Sequence, residues 1–344
     1  MKKVLYFAAL LSLVLFGSGC TKPGADRADS KPVDENPDNQ KPDDKTPDDQ
    51  NPDNQEPGKT ELPKVETCSE NLVLWISFDN DNLIEKGEGL SFKENKGDAA
   101  IKTGFIGKGW VNNAKDNKAM AYSKFDVAGD NVFKKIEKVT MTAWVKAEPE
   151  KSKIKGCLFS LNGGRLTDGG PHDFPAMNVY FDNFGETEIE ETGEKEPWQQ
   201  INGRFIMHDQ MGAEQNLWLD SALKGFVYGD WFHLAVTYDK DITVEDEEEG
   251  GAVAKDQVRI YINAEPLIAL TFDARIPFNN LVTEFSNAFY VGGWSTYIEG
   301  DSVQDWQNYW AGAIDEIRFF DKALSEEEVL ALYKEELNIN LEQD

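Results

Sequence analysis

Residues 310–333, WAGAIDEIRFFDKALSEEEVLALY, predict the strand and the helix that complete the fold. The apolar-rich segment 313–320 predicts a β-strand, followed by a turn at Asp321 and Lys322. Because side chains alternate between the two faces of a strand, we expect Asp315 to share a face with Ile317 and Phe319. A carboxylate on such a face is costly without a partner, so Asp315 calls for a hydrogen-bond donor, a cation or a metal ion.

A short helix is predicted after this strand. Ser325 and Glu328 have the spacing of a capping box, in which each side chain satisfies a backbone donor of the first turn. Val329, Leu332 and Tyr333 then form a narrow apolar stripe. We expect this stripe to lie on the end of a sheet.

The same stretch resembles the last strand of the LamG-like, concanavalin A-like jelly rolls, which commonly reads G-x-I-D-E-[VI]-R-[IF]-[YF] and runs into A-L-S-x-E-E-[IV]. Other segments agree with that family in order: LVLWISFDND (72–81), VTMTAWVKA (139–147), WFHLAVTYD (231–239), VRIYIN (258–263) and FYVGGW (289–294). The resemblance implies an all-β fold over residues 66–344: a two-sheet antiparallel jelly-roll sandwich with a short C-terminal helix. That superfamily includes lectins, adhesion modules, glycosidases and scaffolds, so the fold alone does not assign a function.

The amino terminus predicts export and a lipid anchor. Two lysines precede the apolar run 4–16, which is too short to span a bilayer, and small residues lead to Cys20. We expect residues 1–19 to be a signal peptide and Cys20 to carry lipid, although Gly17 stands where a lipobox usually has Leu. An ordinary cleaved signal with an incidental Cys20 is the alternative. The lipid would place the chain in the cell envelope, on the surface of the outer membrane.

Residues 20–65 predict a disordered tether. Prolines recur every five residues from Pro37 to Pro57 within repeats such as NPDNQ and TPDDQ. The segment has few apolar side chains to bury, and its prolines favour an extended chain. We therefore expect a spacer between the lipid and the folded domain.

The chain is strongly acidic, with a formal net charge of −28, and most of that charge falls after residue 66. Such a field repels nucleic acid and anionic lipid and is compatible with divalent cations. We favour the simpler interpretation, a solvated acidic surface that maintains solubility, over a surface selected for a charged partner. Two acidic segments, 185–196 and 245–249, are expected to be exposed loops.

Motifs of known enzymes are absent. Glycosidases of the superfamily that this chain resembles often carry Glu-x-Asp-x-x-Glu on one strand, and the nearest segment, EIEET at 188–192, lacks the Asp. No nucleophile elbow, P-loop or zinc-protease motif is present. The sequence therefore predicts a non-catalytic carbohydrate-binding module. The alternatives are a protein-binding or adhesion module on the cell surface and, third, a glycoside-active enzyme of unusual design.

Aromatic side chains in the loops are the candidate ligand-binding residues, because sugar rings stack on aromatic faces. The alternative is that these loop aromatics pack onto the edge of the sheet. Trp75, Trp144, Trp231 and Trp310 lie in or beside strands and are expected in the core. The candidates for binding are Trp294, Tyr297, Trp306, Tyr309 and Trp198.

A structural calcium ion is implied by the resemblance, because many relatives hold one near the first and the closing strands. The matching residues are Asp79, Asp81 and Asp315. Hard cations bind several oxygen ligands, which carboxylates and turn carbonyls supply. The alternative is that Asp315 accepts backbone hydrogen bonds and that Asp79 and Asp81 are turn residues.

Cys68 and Cys157 are the two cysteines that remain once Cys20 is assigned to lipid. An oxidising compartment favours a disulfide between them. Cys157 also suits a strand as a small buried side chain, so free thiols stay an equal alternative.

Overall fold

The computed structural model describes residues 64–116, 118–148, 156–162, 175–189, 191–208, 214–218, 221–224, 229–245, 250–272, 286–295, 298 and 308–342. Backbone proximity divides the chain into two units, Met1–Lys59 and Thr60–Asp344, and all described residues belong to the second. The predicted signal peptide, Cys20 and residues 21–63 of the predicted tether lie outside the described residues. Val65, which the sequence assigns to the tether, packs against the buried cluster formed by Phe105, Ile106, Trp144 and Ile339. The folded domain therefore includes this residue.

The described part of the chain is dominated by β-strands. In chain order these are β1 Leu72–Ile76, β2 Lys86–Gly87, β3 Leu90–Gly97, β4 Ala99–Thr103, β5 Lys108–Asn112, β6 Ala121–Val127, β7 Val139–Ala147, β8 Gly156–Asn162, β9 Pro175–Glu188, β10 Lys195–His208, β11 Glu214–Trp218, β12 Ser221–Lys224, β13 Trp231–Glu245, β14 Ala252–Ile262, β15 Glu265–Phe272, β16 Ala288–Val291 and β17 Gly312–Phe320. A 3₁₀ turn spans Val132–Lys135, and a helix, α1, spans Glu326–Leu341.

Two antiparallel sheets form a sandwich, as the sequence predicts. The first, sheet A, has the order β15-β14-β13-β7-β17-β1-β2, with β5 beside β17 and β4 beside β5. The second, sheet B, has the order β11-β10-β9-β8-β16-β6-β3, with β12 beside β10. The closing strand β17 lies between β7 and the opening strand β1 and is antiparallel to both. Strands distant in sequence therefore meet at β17, and the closing strand is central to sheet A.

Aromatic side chains fill the space between the sheets. Phe319 of β17 lies at the middle of this core, with its ring centroid 5.6 Å from that of Phe133, 5.9 Å from Phe159 and 6.0 Å from Phe289. These partners come from the 3₁₀ turn and from two strands of sheet B. The contacts therefore join both layers, and edge-on and tilted ring packing of this kind adds to the burial of apolar area.

A β-bulge in β17 corrects the predicted face of Asp315. Two residues, Glu316 and Ile317, oppose a single residue of β7, and Glu316 has a positive φ of 54°. The extra residue changes the alternation, so Ile317 and Phe319 face the core while Asp315 pairs with Trp144 on the outer face of sheet A. The expectation that Asp315 shares a face with Ile317 and Phe319 is wrong for this reason.

Helix α1 covers the outer face of sheet A. The sequence predicts instead that the helix lies on the end of a sheet. The predicted capping box is present: Ser325 accepts from the backbone N–H of Glu328, and Glu328 accepts from that of Ser325 at 2.9 Å. Val329 and Leu332 are buried against side chains of β13, β14 and β17, among them Tyr261 and Phe320. The apolar stripe thus packs on a sheet face.

The acidic segment 185–196 belongs to a β-hairpin and is not a loop excursion. β9 and β10 pair in register from Lys195 opposite Glu188 to Phe205 opposite Met177, and only a short turn separates them. β13 and β14 likewise extend their hairpin to Glu245 opposite Ala252. Residues 246–249 of the second acidic segment lie outside the described residues.

Candidate functional site

A row of side chains crosses the outer face of sheet B. Tyr290 on β16 is directly opposite Lys124 on β6 and Ser160 on β8, and Ser160 is opposite Asn178 on β9. Opposite residues in neighbouring strands point to the same face. Their neighbours along the strands, such as Phe159 and Val179, point into the core. The row therefore places a cation, a phenol, a hydroxyl and an amide on one surface.

Tyrosine and tryptophan rings lie along this row. The ring of Tyr122 is 5.6 Å from Tyr290 at an interplanar angle of 74°, and 6.2 Å from Tyr309 at 11°. The ring of Trp294 is 4.5 Å from that of Tyr180, which is two residues beyond Asn178 on β9. The outer face of sheet B is consequently a second aromatic layer, separate from the core between the sheets.

Ser160 holds the segment after β16 against the sheet. Its hydroxyl donates to the carbonyl of Gly293 at 2.9 Å and accepts from the N–H of Ser295 at 2.8 Å. The other end of the connection to β17 returns nearby, because the N–H of Trp310 donates to the carbonyl of Gly292 at 2.8 Å. These bonds hold both described ends of the connection against sheet B, with the ring of Trp310 in the core between the sheets.

Two buried asparagines on this sheet differ in their hydrogen bonds. The side chain of Asn162 binds the chain leading into β16: its Oδ1 accepts from the N–H groups of Asn287 and Ala288, each at 2.9 Å, and its Nδ2 donates to the side chain of Asn287 at 2.8 Å. Asn178 is equally buried, yet neither its Oδ1 nor its Nδ2 has a partner. A buried amide with both atoms unpaired costs free energy, because it has lost its water without a replacement.

The structure describes the side chains of two of the five aromatic residues that are predicted to bind a ligand. Trp294 is 0% exposed and Tyr309 is 6% exposed, which corrects the expectation that these loop rings are open to solvent. Both pack onto the outer face of sheet B, as the alternative interpretation stated. Tyr297 and Trp306 lie outside the described residues, as does the side chain of Trp198.

Sequence reasoning missed the residues of the sheet itself. Tyr122, Tyr290, Ser160 and Asn178 lie inside strands, whereas the sequence argument for exposed aromatic rings applies to loops. The available signal was strand alternation: Asn178 lies between Met177 and Val179, and both of these neighbours face the core.

Asp315 has backbone partners, as its alternative interpretation proposed. Its Oδ2 accepts from the N–H groups of Phe105 at 2.8 Å and Ile106 at 2.9 Å, and its Oδ1 accepts from the N–H of Glu316 at 2.8 Å. Burial and the nearby carboxylate of Glu316 nevertheless raise the pKa of Asp315 well above its usual value. Asp315 therefore fixes the turn before β5 at an electrostatic cost.

Asp79 lies close enough to Asp315 for the two charges to interact, whereas Asp81 points to solvent. The Oδ1 atom of Asp79 accepts from the N–H of Lys108 at 2.7 Å, and burial raises the pKa of Asp79. The negative charge of Asp79 also contributes to the raised pKa of Asp315. Asp81 is exposed. Among the residues that the structure describes, no three His, Cys, Asp or Glu side chains are grouped as metal ligands.

A buried ionic cluster lies between sheet A and α1. Arg318 forms ion pairs with Glu316 and with Glu336 of the helix, and all three side chains are 1% exposed. The indole N–H of Trp75 donates to Glu316 at 2.8 Å, and that of Trp144 donates to Glu336 at 2.7 Å. Burial raises the pKa of Glu316 to about 8. The cluster fixes the helix on the sheet and is sealed from solvent.

His233 completes this cluster as a neutral side chain. It is fully buried, with its Nε2 3.5 Å from a carboxylate oxygen of Glu336. Burial, together with the charge of Arg318, lowers the pKa of His233 to about 3. This position gives His233 a structural role in the packing beneath α1.

The two cysteines are free thiols. Cys68 packs beside the residues that α1 covers on sheet A, whereas Cys157 packs with Tyr180 and Trp294 on the outer face of sheet B. The two thiols lie on different sheets, so the disulfide alternative is not formed. Burial raises the pKa of Cys157 well above its usual value, and that of Cys68 to about 11.

The fold is that of a lectin-type β-sandwich. A family model described as the concanavalin A-like lectin/glucanases superfamily matches residues 120–330, so the chain belongs to this superfamily. No curated protein matches the sequence.

Solved structures with similar folds include glycan-binding and receptor-binding domains. Domain 4 of AbnA, a GH43 extracellular arabinanase from Geobacillus stearothermophilus, solved with arabinotriose, is 20% identical, with coverage of 76% of this chain and 98% of that chain and a TM-score of 0.41. The CBM40 of a Ruminococcus gnavus IT-sialidase, bound to α2,3 sialyllactose, is 17% identical, with coverage of 58% and 83% and a TM-score of 0.36. The receptor-binding domain of botulinum neurotoxin type G is 14% identical, with coverage of 77% and 51% and a TM-score of 0.43, so the chain spans about half of that structure.

The described helices offer no membrane span: none combines the length and the apolar character that crossing a bilayer requires.

Proposed function

We propose that this protein is a lipid-anchored, non-catalytic carbohydrate-binding module of the cell envelope, and that its ligand contacts the outer face of sheet B. The observation that carries the proposal is Asn178, a fully buried amide with two unpaired atoms in a layer of aromatic rings. Carbohydrate sites combine ring faces that stack on sugars with a few polar groups that fix orientation. The outer face of sheet B supplies both.

A binding role accounts for the unpaired amide better than a structural role does. Asn162 shows how this sheet satisfies an asparagine that serves the fold, through three side-chain hydrogen bonds. Asn178 has none of these and lies in the same row as Ser160 and Tyr290. Sugar hydroxyls both donate and accept, so they match an amide that presents one donor group and one acceptor.

The placement of the carboxylates supports a non-catalytic role. Retaining glycoside hydrolysis requires two carboxyl groups about 5 Å apart on either side of the substrate. The paired carboxylates Glu316 and Glu336 lie beneath α1 and are 1% exposed. On sheet B, Asp126 is in an ion pair with Lys93 at 3.2 Å, and Glu94 with Lys96 at 2.8 Å.

A single calcium ion beside Asp79 and Asp315 belongs to the same proposal. Both carboxylates have raised pKa values, and their charges repel each other in a buried setting, so a divalent cation would offset this repulsion. The ion would hold the turn after β1 next to the closing strand. Its remaining ligands would be backbone oxygens, because Asp81 is exposed and turned to solvent.

Thermal melts test the calcium proposal. Chelator is added to the purified chain and calcium is then restored, with Asp79→Asn as the variant that removes one ligand. Binding to the native state raises the melting temperature, so chelation is expected to lower it for the parent chain and not for the variant. Identical melts of the parent chain with and without chelator would exclude a bound calcium ion.

A glycan array with the purified chain, with and without chelator, tests the main proposal. We expect binding to at least one saccharide and loss of that binding in Asn178→Ala. An array without any hit in either condition would contradict a carbohydrate-binding role and would favour the adhesion alternative.

A further inference from the structure

We propose that α1 is a reversible cover on the outer face of sheet A, and that its C-terminal half lifts off the sheet while its N-terminal half stays bound. Opening exposes Trp144, His233 and Arg318, which are buried beneath the helix in the closed state. The proposal is independent of the carbohydrate site on sheet B. It is carried by the charges, the unpaired polar atoms and the hydrogen bonds between the helix and the sheet.

The C-terminal half of α1 brings an excess of negative charge to this buried contact. Glu336 of the helix and Glu316 of β17 share the guanidinium of Arg318, and all three side chains are 1% exposed. The imidazole of His233, 3.5 Å from Glu336, is neutral and adds no compensating charge. Lifting the helix returns Glu336 to water and leaves a balanced ion pair of Arg318 and Glu316 on the sheet.

Several polar atoms of sheet A beneath the helix have no hydrogen-bond partner in the described part of the chain. Thr142 is directly opposite Arg318, and neither the hydroxyl of Thr142 nor the Nε of Arg318 is paired. The Oε1 of Glu316 and both ring nitrogens of His233 are also unpaired. Water reaches these atoms when the helix lifts, which lowers the free energy of the open state.

The N-terminal half of α1 keeps its contacts in the open state. Val329 and Leu332 are buried with Phe320 and Leu324, and the N–H of Leu324 donates to the hydroxyl of Thr140 at 2.8 Å. Burial of apolar side chains favours the bound state at this end. We therefore expect the helix to pivot about its N-terminal half.

The turn before β5 holds the C-terminal half of α1 closed. The carbonyl of Phe105 accepts a hydrogen bond from the Nδ2 of Asn340, and Ile339 packs against Phe105, Ile106 and Trp144. The ring of Phe105 in turn stacks on that of Trp144, with 3.4 Å between the two centroids. The turn thus lies between the end of the helix and the sheet, and the hydrogen bond from Asn340 breaks when the helix lifts.

Hydrogen exchange of the purified full chain, followed by mass spectrometry without denaturant, tests the proposal. Peptides from residues 333–341 report on the C-terminal half of α1, and peptides from β17 report on the sheet beneath it. We expect the helix peptides to exchange roughly 10-fold faster or more than the β17 peptides, each relative to its intrinsic rate, because the helix opens locally. Equal protection of the two segments would overturn the cover.

Two matched variants locate the contact that keeps the helix closed. Asn340→Ala removes the hydrogen bond to the carbonyl of Phe105, whereas Asn338→Ala makes the same change at an exposed position of the same helix. We expect residues 333–341 to exchange roughly 5-fold faster in Asn340→Ala than in Asn338→Ala, because one hydrogen bond no longer opposes opening.

The exchange of β17 in the same variants separates local opening from a general loss of stability. Faster exchange that is confined to residues 333–341 in Asn340→Ala supports the proposal. Equal exchange of these residues in the two variants would overturn the role of the turn. An equal acceleration of the β17 peptides in Asn340→Ala would show that helix and sheet open together, which would overturn local opening of α1.

Discussion

Asn178 and Asn162 are two asparagines of sheet B whose side chains differ in their hydrogen bonds. Both are buried in sheet B, and only Asn162 has hydrogen-bond partners in the fold. A polar group that is retained without a partner lowers stability, and residues of this kind are concentrated at functional sites. The contrast between the two asparagines is the reason that the proposed function assigns Asn178 to a ligand and Asn162 to the fold.

Alanine substitutions at these two positions are expected to differ in stability. Asn162→Ala should lower the free energy of unfolding by about 2 to 4 kcal/mol, because it leaves two backbone N–H groups without an acceptor. Asn178→Ala should change it by less than about 1 kcal/mol, since no hydrogen bond is lost. Urea denaturation of both variants measures the difference. A loss at Asn178 as large as that at Asn162 would contradict the absence of a partner in the folded chain.

His233 predicts a pH dependence that a substitution isolates. The folded-state pKa of His233 is lowered to about 3, so between pH 6.5 and 3 the unfolded chain binds a proton at this residue and the folded chain does not. This residue therefore costs stability as the pH falls below 6.5. The stability of His233→Gln relative to the parent chain should rise as the pH is lowered from 7.5 to 5, measured by urea denaturation at each pH. A constant difference would show that His233 also titrates normally when folded.

Strand β17 and helix α1 show, at the scale of elements, what the sequence predicted and what it did not. The strand, the capping box and the apolar stripe of the helix follow from periodicity and cap residues. The bulge at Glu316 does not, because strict alternation placed Asp315 on the core face. A single extra residue moved Asp315 to the outer face of sheet A, and no pattern in the sequence marks that shift.

The site was also only partly predictable from sequence. The candidate loop aromatics Trp294 and Tyr309 do reach the outer face of sheet B, yet they are buried there. The sequence does not predict the role of Asn178, because that role depends on the hydrogen-bond partners that Asn178 lacks, and these are defined only when β8, β9 and β16 lie side by side. Long-range strand pairing determines this property, and local sequence does not encode it.

The segment at Trp294 and Ser295 is expected to control access to Asn178. Asn178 is 0% exposed, so a ligand reaches it only when neighbouring side chains move, and Ser160 holds the segment with two hydrogen bonds. Ser160→Ala removes both bonds. We expect this variant to be less stable by about 1 to 3 kcal/mol and to bind the saccharide more tightly, because less free energy is needed to reach the binding-competent state. Weaker binding by a folded Ser160→Ala chain would contradict this role and would assign Ser160 to direct ligand contact.

In the whole molecule, the first described residues of the folded domain are bound to α1. The backbone N–H groups of Glu66 and Thr67 donate to the carboxylate of Glu335 at 2.7 Å and 2.9 Å. This contact lies on the sheet A side of the sandwich, whereas the proposed site lies on the outer face of sheet B. The first described residues therefore lie on the side of the sandwich opposite the proposed ligand site.

The lipid anchor is tested by fractionation. Cys20→Ser removes the thiol that would carry lipid, and we expect it to move the protein from the membrane fraction to the soluble fraction of the cell envelope. Cys68→Ser, which removes the partly exposed thiol of the folded domain, serves as the matched control and should leave the distribution unchanged. Membrane association that survives Cys20→Ser would contradict lipidation at this residue.

The most direct test of the central claim is a nuclear magnetic resonance titration of the chain labelled with ¹⁵N at asparagine. The side-chain amide signals of Asn178 are assigned by their loss in Asn178→Ala, and the saccharide selected by the array is then added. We expect the Asn178 signals to shift on binding while those of Asn338 stay unchanged. Saturating saccharide that leaves the Asn178 signals in place would contradict it.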